Sequence, residues 1–382
     1  MAKLGDVCSV VYGTTPKSSC PGYWNGTINW VTPAELTDDL DTIFESQRKI
    51  TELAVSDSGL KPFPAGTVLL SSRAPIGKVA IAGKEMYCNQ GFKNLVCSDA
   101  IYNRYLFHFL KSKTDYLNSL GRGATFKEIS KSIVEEIEIP LPSLDEQRRI
   151  AAILDKITDL IAKRRAQLDK LHLLVKSCFV EIFGTIQNNR YSFSVVTLQD
   201  VSELIKDGTH QTPSYTEDTV NGYKFLSSKD VTTGKIDWTN LKYISEELHK
   251  ELYARVAPRK GDILLAKNGT TGIAAIVDCD EVFDIYVSLA LIRPRGIHTS
   301  YLWAAINADE TKRQFDASLK GIGVPNLHLG EIKKTKIILP PLKLQEQFAA
   351  YLRQTDTSKL LIQQSLDKLE TLKKALMQQY FG

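Results

Sequence analysis

Two stretches of this chain carry apolar residues at alternating steps of four and three. From Ile150 onward, positions 150, 154, 157, 161, 164, 168, 171, 175, 178 and 182 hold Ile, Leu, Ile, Ile, Arg, Leu, Leu, Val, Cys and Ile, with Arg164 alone breaking the stripe. A heptad sustained this long predicts a coiled-coil helix. The second stripe, from Phe348, is poorer. Thr355, Lys359 and Lys373 interrupt it, and Leu360, Leu361 and Leu372 beside it are expected to widen the buried face. Prolines precede both runs (Pro140 and Pro142; Pro340 and Pro341), and Gly184 and Gly382 follow them, as at helix boundaries. A helix of about 40 residues is about 60 Å long. Neither helix can bury its own stripe, so the two are expected to pack on each other antiparallel. An intermolecular coiled coil is the competing arrangement.

The intervening segments, 1–138 and 185–338, read as mixed α/β. Short β-rich runs at 67–72, 78–82, 262–266 and 274–278 are separated by Gly, Pro and polar turns, while 103–120 and 300–319 read as helices. The chain is also written twice. LDKLHLLVKSCFVEIFG (168–184) answers LDKLETLKKALMQQYFG (366–382), and IPLPSLDEQRRIAAILDKI from Ile139 answers LPPLKLQEQFAAYLRQT from Leu339. Aligned on its Glu-Gln, the second copy lacks two residues after that pair. Weaker matches join LGDV at Leu4 to LQDV at Leu198, Gly13-Thr14 to Gly208-Thr209, INWVTPAEL (28–36) to YKFLSSKDV (223–231), 65–81 to 260–276, Tyr105-Leu106 to Tyr301-Leu302, and GRGA (121–124) to GIGV (321–324). Two divergent globular parts on matching helices suggest two similar tasks on two different targets.

Composition narrows the classes without naming one. The chain has 382 residues, 43% hydrophobic and 24% charged, which fits two or three soluble domains. No apolar run approaches the ~18 residues that span a bilayer, and the N-terminus lacks a signal-peptide layout. The six cysteines (Cys8, Cys20, Cys88, Cys97, Cys178, Cys279) form no CxxC pair, so reduced cytoplasmic thiols are expected. Residues 1–138 hold 15 basic and 15 acidic side chains and residues 185–337 hold 19 of each, so the net +4 comes from the helical segments. Any nucleic-acid surface on the globular parts must therefore be a segregated face. No phosphate-binding loop, dinucleotide fingerprint or Asn/Asp-Pro-Pro methyltransferase motif is present, and the six histidines lack metal-ligand spacing. The chain reads as a recognition scaffold without catalytic residues, metal or cofactor.

LGDVCSVVYGTTP, INWVTPAEL, SSRAPIGKVAI, NQGFKN (89–94) and above all IPLPSLDEQRRIAAILDKITDLI resemble the specificity subunit of type I restriction–modification enzymes, over essentially the whole chain. The resemblance implies a mixed α+β architecture with a pseudo-twofold internal repeat. Two target recognition domains (1–140 and 185–340) would be separated by two spacer helices (141–184 and 341–382) forming an antiparallel coiled coil. Each domain would read one part of a split, gapped site on double-stranded DNA, in the cytoplasm. Two methyltransferase subunits would dock on the chain and ATP-dependent motor-nuclease subunits would join them, supplying the S-adenosylmethionine, ATP and magnesium chemistry. The second helix motif departs from the first, with Arg353 where the first has Asp155.

Base reading calls for Arg or Lys at guanine and Asn or Gln at adenine, and Lys or Thr can hold phosphates. Turns beside the repeat motifs offer Thr14, Lys17, Arg73, Lys78, Gln90, Lys93 and Arg122 in the first half. In the second half they offer Thr209, His210, Lys229, Lys267, Asn268, Lys320 and Asn326. For each of these the plain alternative is a solvated loop side chain. Two other readings compete for the whole chain: a protein-interaction scaffold with a dimerising coiled coil, and a silent or rearranging member of the same family. A self-contained restriction–methylation enzyme is disfavoured by length and by the missing methyltransferase motif.

Overall fold

The computed structural model describes residues 1–37, 39–123, 127–319 and 325–382. The chain forms two compact units, Met1–Ala166 with Gln363–Gly382, and Gln167–Ile362. Two 40-residue helices, Leu144–Phe183 and Leu342–Phe381, contribute one end to each unit.

In the first unit a five-stranded sheet runs in the order 8–11, 94–97, 68–72, 76–82, 42–43, and a three-stranded sheet in the order 49–50, 24–31, 87–88. In the second unit one four-stranded sheet runs 202–207, 289–294, 263–266, 274–276 and another runs 215–216, 242–244, 223–226, 283–285. The strands expected at 67–72, 78–82 and 262–266 are interior members of these sheets, and the one expected at 274–278 lies at a sheet edge. Strands 68–72 and 263–266 are buried at every position, as continuous apolar runs require when both faces are covered.

Each helix expected between strands and spacer is broken in two. The first half has Asn103–Ser112 and Thr114–Leu120, and the second Thr299–Ile306 and Asp309–Ala317. The second break has a polar cause. Asn307 turns its carboxamide onto the sheet, where it accepts from the Ala274 amide and donates to the Ala274 carbonyl, both at 3.0 Å. It thereby satisfies polar groups of a strand that lies at the sheet edge among the described residues.

Within each unit the helix ends pair antiparallel. In the first, Ile150 and Leu154 share a core with Leu376, Met377 and Phe381, and Arg165 meets Glu370 at 2.8 Å. In the second, Phe348 lies edge-on to Phe179 and Phe183 at 5.5 and 5.4 Å. Each such buried side chain contributes roughly 1.5–3 kcal/mol. The heptad stripes face inward throughout, Arg164 and Lys373 included. Leu360, Leu361 and Leu372 do not widen the buried face as expected. They are 59%, 61% and 47% exposed, while Thr355, one of the apparent breaks, is buried. The heptad phase continues unbroken, and Thr355 is tolerated because its hydroxyl donates to the Tyr351 carbonyl one turn back.

The hydrogen bonds also correct the repeat alignment. Gln147, almost fully buried, accepts from the Tyr102 amide (2.8 Å) and donates to the Pro142 (2.9 Å) and Ala100 (3.1 Å) carbonyls. Its counterpart is Gln345, which accepts from the His298 amide and donates to the Pro340 carbonyl, both at 2.8 Å. Gln347, the letter match, is exposed. The helices therefore correspond from Leu144 and Leu342 with no residue missing after the Glu-Gln. Tyr105 and Tyr301 complete the joint, donating to the Pro140 (2.9 Å) and Ile338 (2.6 Å) carbonyls.

Candidate nucleic-acid interface

In each half the Gly-Thr turn lies against a short strand. A Cβ on Gly13 would sit 1.8 Å from the Cys88 carbonyl oxygen, and one on Gly208 would sit 1.8 Å from that of Ile285. Only glycine allows this approach, which is why the dipeptide recurs. In each half the turn directly follows the edge strand of one sheet, 8–11 in the first and 202–207 in the second.

In the first half that loop is held by two indoles. Trp30 Nε1 donates to the Thr14 carbonyl (3.1 Å) and Trp24 Nε1 to the Lys17 carbonyl (3.4 Å), leaving both side chains exposed. Thr15 hydrogen-bonds the exposed Gln90. The Ser72 amide donates to the Gly91 carbonyl at 2.8 Å, which sets Gln90 beside Arg73. Arg73 and Arg122 each pair with Glu128 in an isolated antiparallel bridge. The Glu128 carboxylate meets Lys93 Nζ at 2.9 Å and Arg73 Nη1 at 3.8 Å. Thr14, Lys17, Arg73, Gln90, Lys93 and Arg122 thus lie along one continuous run of loops. Lys78 is half-buried on its strand, its amide donating to Ser71 Oγ at 2.8 Å. Lys93 shares that loop placement but not its exposure: its side chain is buried and committed to Glu128.

In the second half the organising group is Asp207, itself buried. It meets Lys267 Nζ at 3.1 Å, His210 Nε2 at 3.2 Å and Arg255 Nη2 at 3.4 Å. Lys267 is as buried as its partner, so the pair fixes geometry more than it adds stability. Thr209 is also buried, its hydroxyl accepting from the Gln211 amide at 3.2 Å. His210 and Lys229 are exposed. Lys229 lines an open cleft of about 360 Å³ with Tyr215, Phe225, Lys242, Tyr286 and Ser288. Lys242 Nζ sits 3.8 Å above the Tyr215 ring, a cation–π contact. Asn268 and Asn326 face each other across an isolated bridge. Lys320 lies outside the described residues.

The anchoring carboxylates Glu128 and Asp207 were missed by sequence reasoning, as were Arg255, Lys242 and the Trp24–Arg48 stack, where the guanidinium lies 3.9 Å over the ring. A search for cations and amides in turns does not select acids that hold them. Among the described residues no acid–base or nucleophilic arrangement emerges at these loops. Burial pushes the Cys88 thiol behind Gly13 up to about 12, so it stays protonated and unreactive at neutral pH. Burial likewise raises the Tyr215 phenol.

Comparison with known proteins agrees with this two-part organisation. The family described as type I restriction modification DNA specificity domain matches twice, at residues 1–171 and 192–371. The chain is 31% identical over 368 residues to the type I restriction enzyme MjaIX specificity subunit of Methanocaldococcus jannaschii, covering 91% of this chain and 84% of that protein. It is 25% identical to the MjaVIII specificity subunit of the same organism, covering 99% and 90%. The fold is shared with the type I restriction-modification system S subunit from M. genitalium at a TM-score of 0.55 and 17% identity, covering 100% of this chain and 95% of that one. A chain from a study of the assembly and conformational transition of the type I R-M system gives 0.63 and 20%, covering 100% and 96%.

Proposed function

The chain belongs to the type I restriction–modification DNA specificity family, and on that footing we propose that its halves, about 1–140 and 185–340, are target recognition domains for the two parts of one gapped DNA site. The helices at 141–184 and 341–382 act as the spacer. The chain makes no bond itself. It directs two methyltransferase subunits, and with them ATP-dependent motor-nuclease subunits, to double-stranded DNA in the cytoplasm.

The observation that carries this reading is the repetition of one loop framework with different side chains. Both halves use a Gly-Thr turn and a buried lysine held by a carboxylate, Lys93 by the half-exposed Glu128 and Lys267 by the buried Asp207, to order loops bearing Arg, Lys, Asn and Gln. Exposed cations such as Lys17, Arg122, His210 and Lys229 suit phosphates and set register. Arg73, Gln90, Asn268 and Asn326 suit base edges, while Thr14, Thr209, Lys78, Lys93 and Lys267 brace or border them. Two unlike domains on one spacer read an asymmetric site, and linking them makes the second contact intramolecular, which raises affinity without new contacts. Among the described residues no helix is long and apolar enough to cross a membrane.

The test is a base-resolution methylome of a host expressing this chain with its neighbouring methyltransferase, against the methyltransferase alone. Methyl-adenine at a split, asymmetric motif only when this chain is present is the expected result. A stable complex without new methylation identifies an inactive family member. Failure to form any complex overturns the proposal in favour of a protein-interaction scaffold.

A further inference from the structure

One pair of positions is built alike in the two halves. Ile129 donates its amide to the Ser72 carbonyl at 3.0 Å, and Leu327 donates to the Lys267 carbonyl at 2.8 Å. One residue from each of these bonds lies the isolated antiparallel bridge, Arg73 with Glu128 in the first half and Asn268 with Asn326 in the second. The backbone frame is the same and the chemistry is not.

In the first half the Arg73 guanidinium is 3.8 Å from the Glu128 carboxylate, and both side chains are over a third open to solvent or close to it, at 35% and 39%. Arg73 makes no side-chain hydrogen bond among the described residues, so its fork of donors remains available. In the second half, the Oδ1 atoms of both Asn268 and Asn326 are buried and have no hydrogen-bond partner among the described residues. Folded proteins leave few such acceptors unmatched, and two facing each other call for an external donor.

We infer that this bridged pair is the position at which each half reads a base pair, with Arg73–Glu128 set for G·C and Asn268–Asn326 set for A·T. The inference rests on the reading of the halves as DNA recognition domains. An arginine fork donates to guanine O6 and N7, while a carboxylate accepts from cytosine N4. A carboxamide accepts from adenine N6 and donates to N7. Guanine offers only acceptors along its major-groove edge, so it leaves the asparagine oxygens unmatched. Cytosine offers a single donor and no acceptor for the carboxamide nitrogen. Adenine answers both ends.

The test uses the complex of the full chain with its methyltransferase. The wild-type methylome comes first: a gapped motif establishes the recognition reading independently, and its absence removes that reading and this inference together. With the motif known, Asn268→Ala and Asn326→Ala should relax one A·T position of one half-site and leave the other half-site intact. Arg73→Asn with Glu128→Asn should convert or relax a G·C position in the opposite half-site. Replacing the implicated adenine by 2-aminopurine or 7-deazaadenine should weaken wild-type binding roughly tenfold or more, with little further loss in Asn268→Ala. Because Asn268 Oδ1 makes no hydrogen bond among the described residues, Asn268→Ala should melt with the wild type, which separates lost reading from lost folding. Unchanged motifs in the asparagine variants, or a second half-site without an A·T pair, would overturn the assignment.

Discussion

Gln147→Ala tests the joint between the first globular half and its helix. The side chain is 1% exposed and makes three hydrogen bonds, to the Tyr102 amide and the Pro142 and Ala100 carbonyls. Each is worth about 1 kcal/mol net, and a partner left buried without water costs more. Ala100 is exposed, so its carbonyl regains water; the Tyr102 and Pro142 groups are half-buried and recover less. The expected loss is about 3 kcal/mol in urea unfolding followed by circular dichroism. Gln345→Ala breaks two bonds, so its loss should be nearer 2 kcal/mol. The control is Gln347→Ala, which touches an exposed side chain and should stay within about 0.5 kcal/mol of wild type. A loss at Gln347 equal to that at Gln345, or a loss below about 1 kcal/mol at Gln147, would refute the reasoning.

The two long helices were legible because their signal is periodic. Nine apolar positions in heptad phase outvote one arginine, and the structure keeps that phase even through Thr355 and Lys373. What misled was local composition: Leu360 and Leu361 look like core, yet phase turns them to solvent. The repeat was legible too, but letters and roles parted at the Glu-Gln. Gln347 matches by spelling, whereas Gln345 matches by holding a proline carbonyl and a helix-start amide. At the candidate interface, the structure gathers most of the chosen turn residues near one end of a sheet in each half. Their organisation was hidden because it depends on carboxylates distant in sequence. Glu128 lies 35 residues from Lys93, and Asp207 lies 60 from Lys267. Asp155 gives a third case. It binds Arg104 and the buried His108 in the first unit, and Arg353 at the matching place in the second cannot repeat the network.

That network predicts a pH dependence. Burial lowers the His108 pKa despite the hydrogen bond to Asp155, so below its unfolded value of about 6.5 the unfolded chain binds more protons and stability falls. Asp155 is pushed up by burial but pulled down further by His108 and Arg104, for a net lowering. Its contribution is present above the ordinary aspartate range and is lost as pH falls through the folded value. Urea midpoints should therefore decline in two stages on acidification, and His108→Phe should remove the first; a midpoint flat between pH 7 and 5 in the wild type would contradict this. Gly13→Ala and Gly208→Ala each place a methyl 1.8 Å from a carbonyl oxygen, so each should destabilise its own unit by more than about 2 kcal/mol; full stability in either would show that the loop approach is not obligatory. Finally, Leu361→Lys separates phase from composition on the second helix. If leucines beside the stripe were core, a charge there would cost several kcal/mol, as Phe348→Ala should at about 3–5 kcal/mol. Leu361 is 61% exposed while Phe348 is 1% exposed, so Leu361→Lys should change urea stability by less than about 0.5 kcal/mol, and a loss comparable to Phe348→Ala would mean that the helix buries a wider face than its heptad dictates.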